Sequence, residues 1–304
     1  MKIQFEQIVE QIGTVILGKE EQIRLALTCL FARGHLLIED IPGVGKTTLA
    51  KVLSICLGLN FQRIQCTSDM LPGDVLGTSV FDRKSGSFVF NQGPIFTHVL
   101  LADEINRTTP KTQSALLEAM GEQQVTVDGQ TMPLDPPFFV IATQNPLEHY
   151  GTFPLPESQV DRFLMRIELG YPEREAEKKL LKAEDAADIL AKMKACLLLE
   201  DVKKFQQNTA GIHISDALLE YLQDILDFTR TSSHFYMGLS PRAGLALLQA
   251  TRSWAFIHGR DFALPEDMQR ILLPVVGHRL SSSDDLSLVP HDRLKALLME
   301  VPIP

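Results

Sequence analysis

The sequence predicts an α/β domain on a mostly parallel sheet, followed by a smaller all-α domain. Two observations carry this. Short apolar strand-like stretches alternate with helical ones through the first half of the chain. After Tyr171-Pro172 that rhythm stops; residues 173–204 are rich in charges of both signs, and the rest is helical. A length of 304 residues is compatible with two domains of ordinary size, and 45% apolar with 22% charged residues is an ordinary globular composition. We place the boundary near residues 171–180, giving domains 1–175 and 176–304.

Phe5, Ile8, Val9 and Ile12 fall at i, i+3, i+4 and i+7, one face of a helix that ends at Gly13, and residues 20–33 form a second helix. Leu36–Glu39 reads as a buried strand running into a Gly-rich turn and a helix from Lys46 to about Leu57. Further strands are expected at Phe61–Cys66, Val99–Ala102, Phe138–Thr143 and Phe163–Leu169, with a helix over Pro110–Met120. Two stretches interrupt the alternation as hairpins. Residues 78–91 turn at Lys84–Gly86, and residues 122–133 turn at Asp128-Gly129. In the second half, Leu218, Leu222, Ile225 and Leu226 share one helical face.

The formal charge of −9 disfavours nucleic acid as a partner, because that affinity rests on Lys and Arg against phosphates. Cys29, Cys56, Cys66 and Cys196 form no CxxC or Cys/His metal spacing and read as free thiols in a reducing cytoplasm. Neither a signal-peptide core nor an apolar run long enough for a membrane helix is present.

The segment Asp40-Ile41-Pro42-Gly43-Val44-Gly45-Lys46-Thr47-Thr48, between a strand and a helix, has the form of a phosphate-binding loop. Its glycines let backbone N–H groups converge on phosphate oxygens, and the helix start adds its positive dipole end. Lys46 would reach the β- and γ-phosphates of ATP, and the Thr47 hydroxyl would bind Mg²⁺. The pattern departs from GxxxxGK[ST] at Asp40, where Gly is usual. Val99-Leu100-Leu101-Ala102 delivers Asp103 and Glu104 at a strand end. Asp103 would hold the magnesium and Glu104 would polarise the attacking water. Asp74-Val75-Leu76-Gly77 has the GTPase DxxG form, but it follows no apolar strand and no NKxD motif exists, which argues against GTP.

With these residues placed, nearly the whole chain resembles the MoxR family of AAA+ ATPases. The resemblance rests on Gly93-Pro94-Ile95-Phe96, on Leu101 through Arg107, and on Lys111 through Met120. It continues through Ala142-Thr143-Gln144-Asn145-Pro146 and Leu155 through Phe163. It implies the P-loop αβα sandwich of that fold with inserted hairpins and a helical lid. It also implies Asn145 as the sensor beside Glu104, although an Asn before Pro146 equally suits a turn cap. Arg162 resembles the finger that reaches a neighbouring subunit's nucleotide, with Arg166 close enough to be confused with it. Leu239-Ser240-Pro241-Arg242 resembles the second sensor, with Ser240 as N-cap and Pro241 as N1. Val15 through Glu20, including Leu17 and Gly18, resembles the adenine-packing segment, or is plain core. Arg107 is close to a subunit interface, with no role assigned. The hairpins at 78–91 and 122–133 resemble pore-facing inserts, unless Phe81, Phe88 and Phe90 are simply packed.

The resemblance further implies a ring, a hexamer, that hydrolyses ATP to ADP and phosphate and remodels or activates protein partners, including proteins with von Willebrand factor A domains. Alternatives are a DNA-directed motor, a magnesium-chelatase-like subunit, and a nucleotide-switched scaffold with negligible turnover.

Overall fold

The computed structural model describes residues 2–147, 150–182 and 186–303. It opens with helices α1 (Lys2–Gly13) and α2 (Glu20–Phe31), then β1 (Leu36–Glu39), α3 (Lys46–Cys56) and β2 (Phe61–Gln65). Next come α4 (Pro72–Leu76), the hairpin β3 (Gly77–Asp82) and β4 (Ser87–Gln92), β5 (Val99–Asp103) and α5 (Pro110–Glu122). The second hairpin, β6 (Gln124–Val127) and β7 (Gln130–Pro133), precedes β8 (Phe139–Gln144), α6 (Glu157–Val160) and β9 (Met165–Ile167). Helices follow to the end: α7 (Arg174–Leu180), α8 (Ala186–Lys192), α9 (Leu199–Ala210), α10 (Asp216–Thr231), α11 (Pro241–Ile257), α12 (Pro265–Val276) and α13 (His291–Leu298).

Five strands form one sheet in the order β2-β5-β8-β1-β9, every pair parallel. Strands β5 and β8 are apolar nearly throughout because helices cover both faces. The chain leaves β1 and crosses β8 and β5 to reach β2, so the loop after β1 lies where crossovers diverge, at the carboxyl ends of the strands.

The change from sheet to helices falls between β9 and α7, but the apolar core does not divide there. Helices α1 and α2 turn apolar faces away from the sheet, and α9 and α11 cover them. Phe5, Phe31, Phe205 and Phe256 form one aromatic cluster, with Phe5 at 5.5, 5.2 and 5.4 Å from the other three. The N-terminal helices therefore glue the helical region to the sheet.

His35, buried just before β1, accepts a hydrogen bond from the Val140 amide (3.0 Å) and donates to the Met120 carbonyl (3.2 Å). Burial lowers its pKa to about 4. An unfolded imidazole titrates near 6.5, so between pH 6.5 and 4 the unfolded chain gains a proton that the folded one refuses. At pH 5 this should cost about 2 kcal/mol of stability relative to pH 7.5. Urea midpoints at the two pH values should fall less in His35→Gln than in the wild type; equal falls would refute the assignment.

Candidate functional site

Strand β1 hands over to α3 through residues 40–45. Gly43 (φ +85°) and Gly45 (φ +97°) lie in the left-handed region, where a Cβ is strained, which is why the loop is glycine-rich. The Lys46 ammonium, at the start of α3, donates to the carbonyls of Asp40 (2.5 Å) and Ile41 (2.9 Å). Burial lowers its pKa, while the carboxylates of Asp40, Asp103 and Glu104 pull it back up. The loop thus folds back on the ammonium through two of its own carbonyls.

Across the sheet, β5 delivers Asp103. The Thr47 hydroxyl donates to Asp103 Oδ2 at 3.4 Å, so the two residues expected to share a magnesium are adjacent. Both offer hard oxygen donors, which fits Mg²⁺. Among the described residues no group of three His, Cys, Asp or Glu could cage a metal.

Glu104 adopts φ 57°, ψ 52°, a conformation disfavoured for any residue with a Cβ. Such an outlier at the end of a buried strand, costing ~1–3 kcal/mol, is characteristic of functional positions. Its amide donates to Thr143 Oγ1 (2.9 Å), and that hydroxyl donates to Asp103 Oδ1 (2.6 Å). Its carboxylate accepts from Gln65 Nε2 (3.1 Å) and pairs with Arg107 (3.0 Å).

Asn145 follows directly on β8, is buried, and its Oδ1 accepts from the Leu147 amide (3.1 Å). The turn-capping alternative is therefore realised, at the carboxyl end of β8. Ile16 reaches to 3.9 Å of where a Gly45 side chain would begin, so the 15–18 segment does flank the loop. Its contact residue is Ile16, whereas Leu17 is half-buried and Gly18 turns at φ +70°.

The two arginines behave differently. Strand β1 pairs Leu36 with Met165, so residues 161–164 lie at the amino end of the sheet, opposite the phosphate loop. Arg162 sits there, donating to the Leu117 carbonyl (2.9 Å). Its guanidinium is so close to Gly121 that an added Cβ would stand 2.3 Å from it. Arg242, in the first turn of α11 after the Ser240 cap, pairs with Asp161 at 3.8 Å. The structure therefore groups Arg242 with Arg162, not with Lys46 and Glu104. Arg166 is consumed internally: its side chain is 9% exposed, pairs with Glu39 at 2.7 Å and meets His291 at 3.1 Å.

Four contributors were not apparent from sequence. Arg63 holds Asp103 Oδ2 (2.7 Å), Gln65 holds Glu104, and Thr143 links both acids. Buried Arg279 clamps the turn before β9 through Asp161 (2.7 Å) and the Phe163 carbonyl (2.7 Å). A cleft of about 660 Å³ between the sheet and the helical region is lined by Glu39, Asn145, Asp161, Arg166 and Ser240, but by none of residues 40–48.

The ATPase family associated with various cellular activities (AAA) matches residues 35–165, and the AAA lid domain matches residues 227–293. The chaperone MoxR1 of Mycobacterium tuberculosis is 36% identical, covering 98% of this chain and 82% of that protein. The chain belongs to the MoxR family of AAA+ ATPases. The MoxR protein of Paracoccus denitrificans is 30% identical over 91% of this chain and 88% of its own length. The uncharacterized protein YeaC of Bacillus subtilis is 44% identical over 90% and 85%. A Cytophaga hutchinsonii protein of known crystal structure superposes with a TM-score of 0.90 at 33% identity, covering 99% of this chain and 94% of that one. The parallel sheet, the hairpins and the helical region thus constitute the AAA+ fold of the MoxR family. No helix among the described residues is long and apolar enough to cross a membrane.

Proposed function

We propose that this chain hydrolyses ATP with Mg²⁺ as a cytoplasmic ring, a hexamer, and uses the turnover to remodel or activate protein partners, including proteins with von Willebrand factor A domains. One observation carries the reading. Lys46, Thr47, Asp103, Glu104 and Asn145 converge at one end of the sheet, while Arg162 and Arg242 lie at the other. This separation supports a site completed by a neighbouring subunit: a head-to-tail ring would bring both sets to one nucleotide at every interface.

In this reading residues 42–48 bind the phosphates and Lys46 neutralises charge on the β- and γ-oxygens. Thr47 and Asp103 would hold Mg²⁺, which supplies further charge neutralisation at the phosphates. Glu104 accepts the proton of the attacking water, oriented with help from the Asn145 amide. Arg162 and Arg242 of the adjoining subunit complete the charge stabilisation. The 15–18 segment packs on the adenine.

Client contact is assigned to the β3–β4 hairpin. Phe90 packs inward on Phe96 (ring centroids 5.9 Å), but Phe81 and Phe88 meet edge to face (5.4 Å), at 53% and 73% exposure. An exposed aromatic pair on a hairpin suits transient grip on apolar polypeptide. Replacing both by Ser should lower client-stimulated turnover about tenfold while basal turnover falls far less. Equal loss of both would assign the pair to packing. Glu104→Gln loaded with ATP is the natural trap for clients. Recovery of protein partners supports the reading. Salt-sensitive stimulation of turnover by DNA would favour a DNA-directed motor, dependence on porphyrin-handling partners the chelatase-like reading, and negligible turnover in assembled rings a scaffold.

A further inference from the structure

We propose that Asp40 is a positioning residue that couples the phosphate loop to the strand-to-lid junction at Leu169-Gly170. The inference rests on the reading of residues 40–48 as the ATP-binding loop.

Asp40 stands where this loop usually carries Gly, yet it is 8% exposed and every polar atom on it is used. Its amide donates to the Gln144 carbonyl (3.1 Å), the residue before Asn145. Its carbonyl accepts from Lys46 Nζ (2.5 Å). One carboxylate oxygen accepts from the Ile41 amide (2.8 Å) and the other from the amides of Leu169 and Gly170, both at 2.6 Å. Residues 169–170 lie between β9 and α7, where the chain passes from the sheet to the helices.

Asp40 therefore joins the end of the β8 strand and the phosphate-seeking lysine, through its backbone, to the exit toward the lid, through its carboxylate. Hydrogen bonds to a buried carboxylate are short and strong, so the junction follows Asp40 wherever the loop takes it. A phosphate arriving at Lys46 competes with the Asp40 and Ile41 carbonyls for the same ammonium. Releasing those carbonyls lets the backbone at Asp40 shift, and the carboxylate passes the shift to residues 169–170. The junction has a second tether: Lys19, next to the 15–18 segment, donates to the Tyr171 carbonyl (2.8 Å). Adenine and phosphate contacts thus converge on one hinge. A buried Asp serving only to cap a turn would be satisfied by Ile41; here the stronger pair of contacts goes to a segment some 130 residues away in the chain.

The test is amide hydrogen exchange at Leu169 and Gly170 in the full-length chain, with and without the magnesium complex of AMP-PNP, beside the affinity for that analogue and steady-state ATP turnover. Wild type, Asp40→Asn and Asp40→Gly form a graded series. Asn keeps one oxygen acceptor, enough for either the junction or Ile41; Gly keeps none but is tolerated in loops of this type. The nucleotide-dependent change in exchange should be largest in wild type, smaller in Asn and absent in Gly. Affinity should stay within about threefold across the series while kcat falls in the same order, by about tenfold in Gly, with KM little changed. A purely structural Asp40 would alter stability without grading that response. Equal responses in all three proteins, or junction amides in saturated wild type that do not respond, would overturn the proposal. If Asp40→Gly does not fold, Asn against wild type still decides. Failure of the wild type to bind the analogue would instead refute the ATP reading itself.

Discussion

Replacing Glu104 by Gln should leave ATP binding intact and lower turnover by about 10²–10⁴-fold, the usual contribution of a positioned general base. The two side chains have the same shape, so the left-handed backbone at φ 57° is no more strained by one than the other. A carboxamide oxygen can still accept from Gln65 or Arg107, which lie 3.1 and 3.0 Å from the carboxylate. What is lost is basicity. Lys46 and Thr47 contact the loop and Asp103 rather than Glu104, so affinity should hold. Equilibrium binding of ATP and single-turnover hydrolysis measure the two effects separately. Unchanged hydrolysis would refute Glu104 as the base.

Arg162→Ala should also retain ATP and lose turnover, by about 10³–10⁵-fold if it acts as an arginine finger. Its place at the amino end of the sheet separates it from its own phosphate loop, so the substitution cannot weaken phosphate contacts in the same subunit. Arg166→Ala supplies the contrast. That side chain is buried against Glu39, and removing it leaves that carboxylate with the Gln144 amide (2.8 Å) but without its counter-charge, at a cost of about 3 kcal/mol. Melting experiments should therefore separate the two arginines: Arg166→Ala unfolds more readily, while Arg162→Ala stays folded and inactive. A stable but fully active Arg162→Ala protein would remove the finger assignment.

Much of this was legible in sequence because the signals are local. A run such as Leu36–Glu39 followed by Gly43 and Gly45 specifies strand, turn and helix within a dozen residues. Asp103-Glu104 announces itself by following four apolar residues. The αβ alternation likewise reflects burial of both sheet faces, which each strand records in its own composition. What escaped depends on distant pairing. Arg63 and Gln65 look like ordinary polar residues of an edge strand; only the β2–β5 register places them on Asp103 and Glu104. Asp40 read as a departure from a pattern because the amides it binds follow about 130 residues later. Arg162 and Arg166 are alike in sequence, but Arg162 lies in the turn before β9, whereas the β1–β9 register sets Arg166 beside Leu37, two residues from Glu39 on the same face. The position of Arg242 beside Asp161 follows from how the helices dock on α1 and α2, which a helix-start motif does not encode.

The central claim is that the ATP site is shared between subunits, and mixing two inactive proteins tests it most directly. An Arg162→Ala subunit keeps Lys46 and Glu104, and a Glu104→Gln subunit keeps Arg162. In a head-to-tail ring assembled at equal ratio, half of the subunits hold a competent base and half of those face a competent finger. Turnover should then recover to about a quarter of the wild-type level. Absence of recovery at every mixing ratio, in rings shown to contain both proteins, would contradict a shared site.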